Sequence, residues 1–126
     1  MSGDARLEIA AGFATALGPR KDNQDFGAVH IGSPFEQALH GVVALVADGV
    51  SGSKAGRIAS ELAGRTFLDA YVHQNPLKGV AAAGVAALAG YNRWLHAKGR
   101  SDPEMTGAAT TFSALVMRGR EATALH

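Results

Sequence analysis

Val42-Val43-Ala44-Leu45-Val46-Ala47-Asp48-Gly49-Val50-Ser51-Gly52 is an apolar run that ends in a carboxylate followed by glycines. A short apolar run with β-branched residues reads as a buried strand. A glycine-rich loop from Gly49 to Gly56 follows, and the period then changes. Ala59, Leu62, Ala63, Phe67, Ala70 and Tyr71 recur at three- and four-residue steps, the mark of an amphipathic helix. A strand that hands over to a helix in this way leaves Asp48 at an exposed tip of a rigid element. Such a position can fix a metal ligand or an acid/base group.

Outward from this stretch the chain alternates in blocks. Glu8 to Leu17, Asp25 to Ile31 and Leu39 to Ala47 are three strand candidates, broken at Gly18-Pro19 and Gly32-Ser33-Pro34. Helices are expected near Gly56–Gln74 and Pro76–Lys98, with Asn75 capping the second and Pro76 in its first turn. In the second helix Ala81, Gly84, Val85, Leu88, Asn92 and Leu95 are placed on one face. Gly99 to Gly107 reads as a polar loop. Ala109 to Met117 and Glu121 to His126 read as a hairpin about Arg118-Gly119-Arg120. Three strands, two helices and a hairpin predict an α+β fold with antiparallel pairing and both helices on one sheet face.

The 126 residues suit one domain, with 47% apolar and 18% charged residues and a net charge of +1. That balance excludes a disordered chain. It offers no basic stripe for nucleic acid. The absence of cysteine removes disulfides, thiolate catalysis and cysteine-held zinc. Neither a signal peptide nor an uninterrupted apolar span is present, so no membrane contact is expected and a cytoplasmic location is the default.

Two clusters carry candidate chemistry. Asp48-Gly49 is also a common hairpin turn pair, but the residues after it run into a helix rather than a returning strand. The alternative is a hard cation held by the Asp48 carboxylate and the Gly49 carbonyl, oxygen donors that suit magnesium or manganese. Arg20-Lys21-Asp22-Asn23-Gln24-Asp25 is either a solvated charge run or a phosphate site. In the second case Arg20 presents a two-pronged donor to phosphate and Asp25 holds a metal-bound water. The glycines at 49, 52 and 56 match neither nucleotide-cradle spacing. The five histidines show no metal-ligand spacing, Ser51 and Ser53 have no base partner, and Thr110-Thr111 reads as strand propensity.

Taken together, these segments resemble the metal-dependent serine/threonine protein phosphatases of the type 2C, or PPM, family. Residues 20–25 resemble its RxxNED or RxxNQD element, residues 46–52 its ADGMGG element, and Gly107-Ala108-Ala109-Thr110-Thr111 its GMGTT element. Their order matches, and their wording, with Asn92-Arg93-Trp94-Leu95-His96, is nearest to bacterial members in which a kinase domain follows. The resemblance implies a two-sheet antiparallel sandwich flanked by helices, and two manganese or magnesium ions. Asp48 would bridge the ions, Gly49 would offer its carbonyl, Asp25 would lie in the metal–water shell, and Arg20 would bind the substrate phosphate. A water shared by the ions would attack phosphorus without a phosphoenzyme. The implied substrate is a protein phosphorylated on serine or threonine, with a cognate or fused kinase as partner.

Three departures qualify the resemblance. Val50 stands where several members carry a histidine thought to protonate the leaving group. Gln24 replaces the commoner Glu. A VGDSR-like strand and later aspartates, expected after His126, are absent, so the chain corresponds to about the first half of a catalytic domain. Such a half is expected to be inactive alone and prone to self-association through unpaired sheet. The alternatives are a non-catalytic module that binds phosphoproteins or a partner, and a nucleotide-binding domain on a parallel sheet.

Overall fold

The structure, a computed structural model, describes residues 8–50 and 54–126. Strand β1 (Asp25–His30) is followed by helix α1 (Pro34–His40), β2 (Val42–Val50), α2 (Lys54–Val72) and α3 (Val80–Ser101). Short β3 (Ala109–Thr110), then β4 (Ser113–Arg118) and β5 (Glu121–Leu125), complete the order. The sheet runs β1-β2-β4-β5, with β3 paired to the far end of β2, and every pair is antiparallel. This is the expected α+β fold, and it excludes the parallel-sheet nucleotide reading.

Register explains which face is buried. Phe26, Ala28, Val43, Leu45, Ala47, Ala114, Val116 and Leu125 are linked across the ladders, so they share one face. That face packs on Phe67 and Tyr71 of α2 and Ala83 and Ala87 of α3. Small residues let the layers close. A Cβ on Gly64 would collide with Phe26 and Leu45, and one on Gly84 with Leu125. The opposite face carries Val46 and Leu115, which remain 59% and 39% exposed. The helices therefore cover one side of the sheet, as the period change predicts.

Several boundaries differ from the sequence expectation. Residues 8–17 form no strand, because they make no ladder with any described strand. Instead the Phe13 ring lies over Gly27, where a Cβ would collide with it. Leu39 and His40 end α1 rather than begin β2. Ser33-Pro34-Phe35-Glu36 forms a full capping box, with the Ser33 hydroxyl accepting from the Glu36 N–H and the Glu36 carboxylate accepting from the Ser33 N–H. Gly41, at φ 78°, then turns the chain into β2.

Asn75 caps only a single 3-10 turn, Pro76–Lys78, and α3 begins after Gly79 at φ 88°. The buried stripe of α3 is Ala83, Gly84, Ala87, Tyr91 and Leu95. Ala81 and Val85 face solvent. Tyr91 sets this rotation, since its hydroxyl donates to the Ala59 carbonyl at 2.5 Å. The expected polar loop contains the end of α3 and a turn, Pro103–Met105, that buries Met105. The strand expected over 109–117 breaks at Thr111-Phe112 into β3 and β4.

Candidate metal and phosphate site

β1 and β2 position two acids. Asp25 and Asp48 are register partners at the end of the β1–β2 ladder. Directly opposed residues project to the same face, here the face without helices. Their side chains are within hydrogen-bonding reach when one of them carries a proton. Local desolvation, that hydrogen bond and the Asp48 charge hold Asp25 above the ordinary carboxylate value of 3.8, while Arg20 pulls the other way.

The backbone around each acid is tied down. The Asp25 N–H donates to Asn23 Oδ1 at 3.0 Å, and the Asn23 amide donates to Thr15 Oγ1 at 2.8 Å. On the other strand Thr111 grips Asp48 twice. Its hydroxyl oxygen accepts from the Asp48 N–H at 3.0 Å, and its own N–H donates to the Asp48 carbonyl at 2.9 Å. Gly49 lies against the backbone of Gly56 at the start of α2, where any Cβ would collide. Its N–H donates to the Gln24 carbonyl at 3.0 Å.

Arg20 follows the Gly18-Pro19 turn, closed by an Arg20 N–H to Leu17 carbonyl bond of 3.3 Å. It opens onto a cleft of about 570 Å³ that Asp25, Asp48 and Gly49 also line. All four residues singled out in the sequence thus meet in one cleft. Ser51, Gly52 and Ser53 of the glycine loop lie outside the described residues.

Two carboxylates and a backbone carbonyl are hard oxygen donors, the chemistry that magnesium and manganese select. A pair of facing carboxylates is also a site that gains from a counter-cation. The set is small. Among the described residues no group of three or more His, Asp or Glu is placed to hold a metal ion. The donors therefore fit part of a cation site rather than a closed cage. The histidines stand apart; His73, for example, pairs with Asp69 on α2 and the loop after it.

Sequence reading missed three supporting residues. Thr111 reads in the sequence as strand propensity and as part of the GMGTT-like element, without a task of its own, yet its hydroxyl and amide clamp Asp48. Asn23 sits two residues before Asp25, the spacing of an Asx turn, which was a readable signal. Ser60 carries no local signal at all, and its partner is 36 residues away.

Comparison with known proteins places the fold. No family model matches the chain, and no curated protein matches it. Solved structures do. The Mycobacterium tuberculosis serine/threonine phosphatase PstP/Ppp matches at 26% identity and a TM-score of 0.64, over 85% of this chain and 41% of that one. The S. agalactiae serine/threonine phosphatase matches at 23% identity and a TM-score of 0.65, over 85% of this chain and 43% of that one. The catalytic domain of PstP in complex with two manganese ions matches at 23% identity and 0.57, over 85% and 50%. The chain thus spans half or less of the length of these structures, and its antiparallel sheet with helices corresponds to that part of their fold.

Proposed function

We propose that this chain carries the metal- and phosphate-binding part of a protein serine/threonine phosphatase, acting by hydrolysis of a phosphomonoester with two manganese or magnesium ions. The observation that carries this reading is the register pairing of Asp25 with Asp48 at the rim of a cleft that also holds Arg20. The likeness to bacterial serine/threonine phosphatases supports it. Bound cations supply charge neutralisation at the phosphoryl group and a water made nucleophilic near neutral pH.

The chain's own residues have separate tasks in this reading. Asp48, held by Thr111 through both its N–H and its carbonyl, is the carboxylate that would hold the ions. Asp25 is the second carboxylate. Gly49 lets the backbone approach the ions and offers its carbonyl. Arg20 engages two phosphate oxygens with its guanidinium fork and orients the ester. Among the described residues no serine, cysteine or histidine lines the cleft, and the nucleophile in this reading is water. Val50, also on the cleft wall, provides no general acid. The substrate is a phosphoserine or phosphothreonine protein, supplied by a protein kinase.

Two carboxylates and one carbonyl leave most positions around two six-coordinate ions to water. Efficient turnover therefore needs further carboxylates. This chain should bind manganese and hydrolyse p-nitrophenyl phosphate slowly or not at all. A longer polypeptide that adds the rest of a phosphatase-length domain should show manganese-dependent turnover that Asp48→Asn abolishes. Turnover in the longer polypeptide that is indifferent to Asp48→Asn would contradict the assignment.

The small donor set favours one other reading, a non-catalytic module that binds phosphoproteins through Arg20. Phosphopeptide binding that survives removal of manganese, together with an inactive longer polypeptide, would select it.

A further inference from the structure

Ser60 sits on α2 with none of its surface exposed, and among the described residues it is the one buried polar side chain apart from tyrosines. Its neighbours along the buried stripe are Ala55, Ala59 and Ala63. Alanine at 60 would pack as small and favour the helix more. A buried hydroxyl is costly unless it is hydrogen-bonded, so its partner explains its presence. The hydroxyl lies 2.6 Å from the Gln24 carbonyl oxygen and 3.0 Å from that of Arg57. It has one proton, and the shorter contact to Gln24 takes it.

The Gln24 carbonyl also accepts the Gly49 N–H at 3.0 Å. One oxygen therefore joins three segments: the acidic loop, the end of β2 and the body of α2. Gln24 directly precedes Asp25, and Gly49 directly follows Asp48. The junction lies one residue from each acid of the pair. We infer that Ser60 is a positioning residue for the cation site, and that its buried hydroxyl, acting through the Gln24 carbonyl, fixes the spacing of Asp25 against Asp48 and Gly49. This rests on the cation site proposed above.

The test uses this chain as wild type, Ser60→Ala, Ser60→Val, Ser60→Thr and Val116→Ala. Val116 is a buried core residue remote from the site in sequence and role, and its truncation controls for general loss of stability. Two quantities are read: manganese affinity from the free-ion electron paramagnetic resonance signal, and hydrogen exchange at the Gly49 amide. Ser60→Ala and Ser60→Val are expected to weaken manganese binding about 10-fold, the usual effect of losing a group that orients a ligand, and to speed Gly49 exchange. Ser60→Thr, which keeps the hydroxyl, should lie closer to wild type than its isostere Val. Val116→Ala should leave both quantities near wild type even if its melting temperature falls as far. Should Thr or Val fail to fold, Ala against Val116→Ala decides. Unchanged manganese affinity and unchanged Gly49 exchange in Ser60→Ala would overturn the inference. Absence of manganese binding in wild type would instead remove the cation site, and with it this role for Ser60, whereas a Ser60→Ala effect on exchange alone would leave the junction standing.

Discussion

Asp25 and Asp48 face each other across the β1–β2 ladder, close enough for one proton to bridge their carboxyl groups. Like charges placed directly opposite on a sheet are unfavourable by roughly 0.2–1 kcal/mol. In the absence of a cation the site therefore opposes folding. Replacing Asp25 by Asn should stabilise the metal-free chain by an amount of that order, about 0.2–1 kcal/mol, and so raise its melting temperature. Calorimetry in chelator checks this; a lower melting temperature would mean that the pair is not repulsive.

The same pair has a pH signature. Asp25 is held above 3.8 in the fold, so the fold prefers its protonated form. A carboxyl raised by folding contributes stability that is complete below its unfolded value and is lost as pH rises through its folded value. Glu36 has the opposite sign: its carboxylate, bonded to the Ser33 backbone and hydroxyl, is held below its ordinary value. The useful quantity is therefore the difference between variant and wild type. The advantage of Asp25→Asn over wild type should be small at low pH and grow as pH rises above about 4. An advantage that shrinks over this range would reverse the sign assigned to Asp25.

Thr111 holds the Asp48 peptide with its hydroxyl and its amide. Thr111→Val keeps the shape and the amide but loses the hydroxyl acceptor. It should cost about 0.5–1.5 kcal/mol and weaken manganese binding, while Thr111→Ser should retain most of both. Equal manganese affinity in Val and Ser variants would show that the clamp does not position Asp48.

Arg20 acts on the phosphate rather than the metal in this account. Arg20→Ala should leave manganese affinity nearly unchanged and weaken phosphate or phosphopeptide binding by about 10-fold or more, as expected for loss of a charged hydrogen bond of roughly 1.5–3 kcal/mol. In an active longer polypeptide the change should appear mainly in KM. An Arg20→Ala effect on kcat alone would argue against phosphate capture.

Two glycines separate close approach from open space. Gly49→Ala drives a Cβ into the Gly56 backbone, which cannot swing aside, and should cost toward the upper end of about 1–3 kcal/mol. Gly90→Ala in α3 meets only the Arg93 guanidinium at 3.9 Å, and should stabilise by about 0.5–1 kcal/mol through helix propensity. Chemical denaturation of the two variants gives the contrast; equal effects would remove the packing explanation for Gly49.

The apolar run at 42–47 and the period change after Gly56 made the central strand, the first long helix and the layer order legible. So were Arg20, Asp25, Asp48 and Gly49, because each stands where a strand ends or a loop turns. What escaped depended on distance or geometry. Residues 8–17 look apolar enough for a strand, but a strand needs a ladder partner, and composition does not reveal one. Ser33 to Glu36 was a readable capping box, hidden by the stop signal of Pro34. The rotation of α3 depends on the Tyr91 hydroxyl reaching Ala59, a contact 32 residues apart. Thr111 and Ser60 serve the site from positions 63 and 36 residues from their partners; the motif-like element around Thr111 marks its position but not its partner, and nothing local marks Ser60.

The most direct test of the central claim is a manganese titration of the 126-residue chain as wild type, Asp25→Asn and Asp48→Asn, each first shown to be folded. Wild type should show saturable binding, each variant binding weakened at least 10-fold, and wild type alone a manganese-induced rise in melting temperature, although the variants are no less stable without metal. Binding that is absent in wild type, or equal in all three proteins, would contradict a cation site built on the Asp25–Asp48 pair.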